Sequence, residues 1–268
     1  MFRYVAIAVL LLWTLFPIVY LALTSLKPSA MLLDVPPRIF FLPSLEHFIR
    51  VFQFDEGIVS ALTNSIIVSI VSTVLAVLIG AMAAFAFVHF SFVGKRTLLF
   101  SILATRMFPP ITTVIPIYLL VSYFELVDTR TALILPYIAF QLPLVIWILI
   151  DFIRQIPKEL QESAVLDGCG TMGVFFRIVL PLSIPGLLAA GVLAFIYNWN
   201  ELLFALVLTS LDARTLPVAL VPYTESEGML QWGSVSVLGI VTMLPVLFFF
   251  IALNRALVKG MMAGAVKT

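Results

Sequence analysis

Six long apolar stretches, at 4–26, 59–88, 97–121, 131–153, 186–210 and 235–257, leave this chain little choice of solvent. Each reaches the roughly 20 residues that a helix needs to cross the hydrocarbon core of a bilayer. In hydrocarbon every backbone N–H and C=O must be satisfied locally, so apolar runs of that length fold as helices. With 62% hydrophobic and 11% charged residues, the 268-residue chain has too little polar surface to wrap a water-soluble core. The expectation is an all-α polytopic membrane protein, a single membrane domain over 1–268. The first run is too long for a signal-peptide core, and no small-x-small cleavage site follows it, so it reads as a retained span. A net charge of +1 points to no nucleic-acid partner, and the single Cys169 excludes an internal disulfide or a cysteine zinc cluster.

Six spans put both termini on one side, and lysine and arginine decide which. If the termini are cytoplasmic, the inside holds Arg3, Lys95, Arg96, Arg154, Lys158, Arg177, Arg255, Lys259 and Lys267. The outside holds Lys27, Arg38, Arg50, Arg130 and Arg214, and Arg106 falls within a span. The positive-inside rule favours this orientation. The loop 154–185 is then cytoplasmic, while 27–58 and 211–234 face outward. "LEHFIRVF" (45–52) is a short amphipathic pattern in the first outer loop, and His47 and His89, near span ends, are expected to be solvated.

The loop 154–185 is long and polar for an inter-span connection. Pro157 suits a first helical position, Glu159 and Glu162 suit the first turns, and Gly168 and Gly170 supply a stop. Thr171 is placed to cap a second short helix, and Pro181 and Pro185 to break the chain before the fifth span. A well-capped helix–turn–helix bracket suggests docking of a helix into a partner's groove.

The bracket resembles the "EAA" loop of permeases of ATP-binding-cassette importers: Glu-Ala-Ala, three residues, Gly, nine residues, Ile, one residue, Leu-Pro. Here Glu162, Ser163 and Ala164 stand in the first places, followed by Gly168, Ile178 and Leu180-Pro181, with Ser163 the one departure. Asp167 also fits the wider pattern. "SLKPS" (25–29), "TNSIIVS" (63–69), "MFPPITTVIPIYLL" (107–120), "LPYIAFQLP" (135–143), "NWNELLFALVLT" (198–209) and "VKGMMAGAVK" (258–267) look like the carbohydrate-uptake branch, nearest the second of two dissimilar permease subunits. The resemblance implies a type I importer permease in a bacterial inner membrane. Its partners would be a different permease subunit, two ATPase subunits and an extracytoplasmic solute-binding protein. It also implies a coupling helix bearing Glu162, Ser163, Ala164, Asp167, Gly168, Leu180 and Pro181. The tail residues Lys259, Gly260, Ala263, Gly264 and Lys267 would contact an ATPase.

A permease of this kind is not itself an enzyme. A phosphate-binding loop needs G-x-x-x-x-G-K-[ST]. The nearest match, around Gly94-Lys95, has His89 for the first glycine and Arg96 for the hydroxyl residue. ATP and magnesium therefore belong to partner subunits, and no cofactor, metal ligand set or catalytic residue is assigned to this chain. A permease for an amino acid, polyamine or phosphonate is the alternative, and a secondary carrier a weaker one, since no internal repeat is visible.

Candidate path residues are the polar ones inside spans. Ionisable groups there cost roughly 2.5–3.5 kcal/mol on insertion scales and seldom face lipid, so Arg106 and Glu201 are expected to face the interior, with a pair between them open. Tyr197, Asn198, Asn200 and Glu201 share one side of the fifth span with Ala190, Ala194 and Ala205. Tyr137 and Gln141 lie one turn apart on the fourth, where they would bind solute hydroxyls or bond to a neighbouring helix. Ser65, Ser69, Ser72, Ala76, Gly80 and Ala84 form a small-residue stripe suited to close helix packing. Pro109, Pro110 and Pro116 point to a kinked third span.

Overall fold

In the computed structural model, which describes residues 2–53, 55–225 and 231–265, thirteen α-helices account for the apolar runs, and no strand occurs among the described residues. The long ones are α1 (Phe2–Leu26), α3 (Glu56–His89), α6 (Arg130–Arg154) and α13 (Trp232–Ala265), each containing a stretch apolar and long enough to cross a membrane. The third and fifth expected spans are not straight. α4 (Lys95–Ala104), with a 3-10 turn to Met107, meets α5 (Pro110–Tyr123) at 97°. The break falls at Phe108, extended at φ −74°, ψ 125°, as the residue before Pro109 should be. The segment Thr171–Leu182 meets α10 (Ile184–Trp199) at 76°, and α10 itself stops short of the expected residue 210. A break at 200–202 separates it from α11 (Leu203–Leu208). Pro17, Pro116, Pro136, Pro143 and Pro245, by contrast, sit inside continuous helices.

The chain divides into two compact units, Met1–Thr63 with Thr215–Leu247 and Asn64–Arg214 with Phe248–Thr268. In the first, α2 (Glu46–Gln53) is the expected amphipathic helix, buried along His47 and Val51. His47 is only 2% exposed, against the expectation of a solvated ring. Its Nε2 lies 2.9 Å from the Lys27 carbonyl, and its ring lies so close to Gly233 that a Cβ there would fall 2.2 Å away. α12 (Leu216–Glu225) is tied in by the Tyr223 hydroxyl, which donates to the Asp55 carboxylate at 2.8 Å. α1 buries almost none of its apolar side chains against the rest of the chain.

In the second unit α6 is the central post, buried from Leu133 to Ile153 along one side. The small-residue stripe of α3 is buried as expected, and Gly80 admits Val145 of α6, whose Cγ1 lies 2.6 Å from where a Cβ would be. Gly186 of α10 meets the Phe152 ring of α6 in the same way, at 2.5 Å. Close backbone approach of this kind is how helices associate where hydrocarbon offers no hydrophobic drive.

At one end of this unit, polar groups knot the loops together. Asp128, in the left-handed region at φ 59°, accepts backbone N–H groups from Ser210, Leu211, Asp212 and Ala213 at 2.9–3.1 Å. Asn64 donates to the carbonyls of Asp212 and Arg214 and accepts from Arg130 Nε at 2.8 Å. Burial pushes the Asp128 carboxyl up, but the four N–H donors outweigh it and hold the pKa at about 2, below its ordinary 3.8. A depressed carboxylate contributes stability that is whole above the unfolded pKa and disappears as pH falls through the folded one. Asp128→Asn should therefore lower the unfolding temperature at pH 7, by the equivalent of about 1 kcal/mol once solvent screening is allowed for. Wild type and variant should converge between pH 4 and 2. Parallel melting curves across that range would show that the charge contributes nothing.

Candidate functional site

The loop 154–185 folds as the expected bracket with shifted joints. α7 (Lys158–Leu166) starts one residue late: Pro157, expected at the first helical position, is the N-cap at ψ 133°. Its C-terminus is a Schellman stop. Gly168 takes φ +85°, its N–H reaches the Val165 carbonyl at 3.0 Å, and the Cys169 N–H reaches Ala164 at 2.9 Å. Gly170, rather than Thr171, is the N-cap of α8 (Thr171–Val174). A π-helical turn, Phe175–Val179, leads into α9 (Leu180–Leu182), so Pro181 lies within helix and the turn comes at Ser183. Proline is admissible there because the first turn of a helix needs no N–H partner.

The bracket has an inner and an outer side. Ala164, 6% exposed, packs with Val174, Phe175 and Val179 on Phe85, Phe87, Ile153 and Ile156. A small residue is needed at 164 because α7 lies directly on this cluster. Glu162, Ser163, Asp167 and Gly168 are exposed, and Leu166 is 87% exposed. Leu180 is half-buried and Pro181 exposed. A short helix held rigidly from one side, with carboxylates and large apolar residues displayed on the other, has the form of a helix seated in a partner's groove.

The polar residues of the spans gather at the break after α10. Glu201 is 9% exposed; its carboxylate accepts the Tyr137 hydroxyl at 2.7 Å and the N–H groups of Phe204 and Ala205 at 2.9 and 3.2 Å. It thus caps α11 and ties it to α6, which accounts for the broken fifth span. Asn198, 3% exposed, donates to Ser72 and Thr73 of α3 at 3.0 and 3.2 Å. Tyr137 therefore bonds to a neighbouring segment, one of its two expected uses. Gln141 is fully buried, and neither amide atom finds a partner among the described residues; the same holds for Asn198 Oδ1. Buried groups of this kind cost about 1–3 kcal/mol each unless water or another molecule satisfies them.

Arg106 departs from expectation. It is exposed in the 3-10 turn before the third-span break, not interior, and makes no ion pair with Glu201. Its guanidinium lies 5.9 Å from the Tyr197 ring centroid instead. The expected pairing measured distance along straight helices, and both helices are broken. Asn200 is likewise exposed, its amide donating to the Ile196 carbonyl at 2.7 Å. Arg106, Tyr197 and Asn200 so mark two adjacent breaks with polar groups. Asp128 and Asn64 escaped the sequence reading, and the burial of His47 was not foreseen; "TNS" (63–65), early in the second span, was the one visible hint. α13 continues unbroken to Ala265, so Lys259, Gly260, Ala263 and Gly264 are helical, while Lys267 lies outside the described residues.

Among the described residues, an all-α fold with four long apolar helices, two bent spans and a helical bracket defines a membrane protein built of spanning helices. Residues 76–263 match the family described as binding-protein-dependent transport system inner membrane component, and the chain belongs to it. It is 38% identical to the trehalose transport system permease protein SugB of Mycobacterium tuberculosis, covering 95% of this chain and 93% of the relative. It is 35% identical to the sulfoquinovosyl glycerol transport system permease protein SmoH of Agrobacterium fabrum, over 99% and 93%. To the trehalose/maltose permease MalG of Thermococcus litoralis it is 33% identical, over 94% and 91%. Among solved structures, a bacterial transporter for import of the acidic polysaccharide alginate superposes with a TM-score of 0.78 at 21% identity, covering 94% of each chain. That likeness speaks for the fold: a type I importer permease.

Proposed function

We propose that this chain is one of two dissimilar permease subunits of an ATP-driven importer for a sugar or sugar derivative. The observation that carries the sugar reading is relatedness above 30% along nearly the whole chain to permeases whose names specify trehalose, maltose or a sulfosugar glycoside. The coupling reading draws its support from α7, whose exposed face is displayed on a rigid base. In this reading two ATPase subunits bind and hydrolyse ATP with magnesium, and one of them receives α7 with its Glu162 and Asp167. An extracytoplasmic binding protein delivers the solute, and both termini and the loop 154–185 are cytoplasmic. Positive residues at Lys95, Arg96, Arg154 and Lys158 favour that side.

The path follows the two breaks. Non-helical backbone at membrane depth is tolerated only where protein or a watery cavity surrounds it. Arg106, Tyr197 and Asn200 supply donors and an aromatic face suited to hydroxyl-rich solutes. Asn198, Glu201 and Tyr137 stand behind them and hold the break, and the buried Gln141 keeps its amide free for water or solute. The test is single-cysteine labelling in a Cys169→Ser background with a water-soluble thiol reagent. Asn200→Cys should label, at a rate that changes several-fold with ATP and binding protein. Protection at 200 in every state would remove the break from the path. Melting shifts of the binding protein that works with this permease, screened over a sugar panel, test the solute class. Stabilisation by amino acids or phosphonates alone would overturn it.

A further inference from the structure

Four cations with little to neutralise them gather where α3, α4, α6 and α7 end or begin. Two adjoining pockets, of about 480 and 380 Å³, share Lys95 and Arg154. Arg96 and Thr97 line the first, and Lys158 and His89 the second. Lys95 Nζ donates to the Phe90 carbonyl at 2.9 Å, a neutral partner. Arg154 has only Asp151 at 4.0 Å, with both side chains more than half exposed. Arg96 and Lys158 have no ion pair among the described residues, and Glu162 is the one carboxylate on either wall. His89 Nδ1 faces Gln161 at 3.4 Å and its ring stacks on Phe85. A concave wall of one sign focuses potential and draws an anion.

The first pocket also has apolar lining: exposed Phe92 and partly buried Leu99 stand beside the cations. Val93, next in the chain to Phe92, is fully exposed. A soluble anion would have no use for these residues. A phospholipid uses both, with its headgroup among the cations and its chains along α4. We propose that the pocket walled by Lys95, Arg96 and Arg154, with Lys158 at its edge, binds the phosphodiester headgroup of an anionic phospholipid. The proposal rests on the permease reading only for the side of the membrane, the cytoplasmic leaflet. Basic pockets beside membrane helices on that side hold anionic headgroups. Bound there, the lipid joins the start of α4 to the base of the α7 bracket, so its occupancy bears on how firmly α7 is held.

The experiment uses the full-length chain, purified with the subunits that accompany it, delipidated in mild detergent and titrated while lipid adducts are counted by native mass spectrometry. Phosphatidylglycerol should bind about tenfold tighter than phosphatidylcholine. Lys95→Gln/Arg96→Gln/Arg154→Gln should abolish the preference, and Arg38→Gln/Arg214→Gln should leave it unchanged. Equal binding of the two lipids by the wild-type protein overturns the proposal whether or not the triple variant folds, and so does a preference that survives in a folded triple variant. Displacement of the lipid by millimolar inorganic phosphate would assign the pocket to a soluble anion and overturn the lipid. If the chain shows the preference alone but loses it when the ATPases are bound, the cations face those subunits and the proposal also falls. Detergent has no sidedness and the readout is not transport, so failure here leaves the permease reading standing, and a wrong orientation would not imitate failure.

Discussion

Replacing Gly168 by proline is expected to reduce transport to background while the chain still inserts and accumulates normally. Gly168 holds φ +85°, and proline is locked near −65°, so the substitution cannot keep the turn. It also deletes the N–H that bonds to Val165 at 3.0 Å, half of the Schellman stop that ends α7. Nothing lies within 4 Å of a Cβ at this position, so the damage comes from the backbone, its direction and its lost N–H, and not from a side-chain clash. Gly168→Ala isolates the direction. It should cost about 1–2 kcal/mol locally, the penalty for a left-handed non-glycine residue, and leave partial transport. Glu162→Lys tests the docked face without touching the turn. The side chain is exposed and makes no hydrogen bond within the described chain, and Glu162→Gln, which removes the charge without adding a fifth cation to the neighbouring pocket, separates loss at the docked face from repulsion within the chain. Transport assays in vesicles, with ATPase co-purification as the second readout, check the series. Wild-type rates from a normally expressed Gly168→Pro variant would show that α7 transmits nothing.

Some of this was open to reading in the sequence because it depends on local chemistry. Apolar runs of sufficient length specify spans, and the spacing from Glu162 to Pro181 specifies a bracket. Two glycines, 168 and 170, after a run of helix-formers specify a stop, the first of them in the left-handed conformation. What escaped depends on contacts far apart in the chain. His47 looked solvated because it lies in an outer loop near a span end, yet Gly233 covers its ring. The joints at Pro157, Gly170 and Pro181 were misplaced by one or a few residues, since capping propensity does not say which of two adjacent residues takes the non-helical angle. Arg106 and Glu201 were set opposite one another by a ruler valid for straight helices. The 97° bend and the break at 200–202 invalidate it. The signal for that break was present, however: Asn-Trp-Asn-Glu places two amides and a carboxylate where a span's backbone needs substitutes for its own hydrogen bonds.

The same break makes Glu201 the residue whose loss should cost most in stability. Its carboxylate satisfies three donors, the Tyr137 hydroxyl and the N–H groups of Phe204 and Ala205. Glu201→Ala strands all three in a buried setting, at about 1–3 kcal/mol for each group left unpaired. Relaxation and entry of water will reduce the sum, so about 3 kcal/mol in total is a fair expectation, accompanied by loss of transport as α11 parts from α6. Glu201→Gln keeps an acceptor and should cost less than half as much. Tyr137→Phe removes one donor and leaves the cap of α11 in place. Hydrogen bonds between membrane helices average about 0.6 kcal/mol and reach about 1.7 in double-mutant cycles. A cycle of Tyr137→Phe with Glu201→Gln, measured by unfolding of the purified complex in detergent, should therefore give a coupling near 1–2 kcal/mol. The hydrogen bond at 2.7 Å is short and buried and joins α6 to the residue that caps α11, which puts it toward the upper end. Additive effects, or a Glu201→Ala protein as stable as wild type, would mean that α11 is held by its apolar contacts with α5 and α6 alone. The carboxylate would then be free to serve the solute.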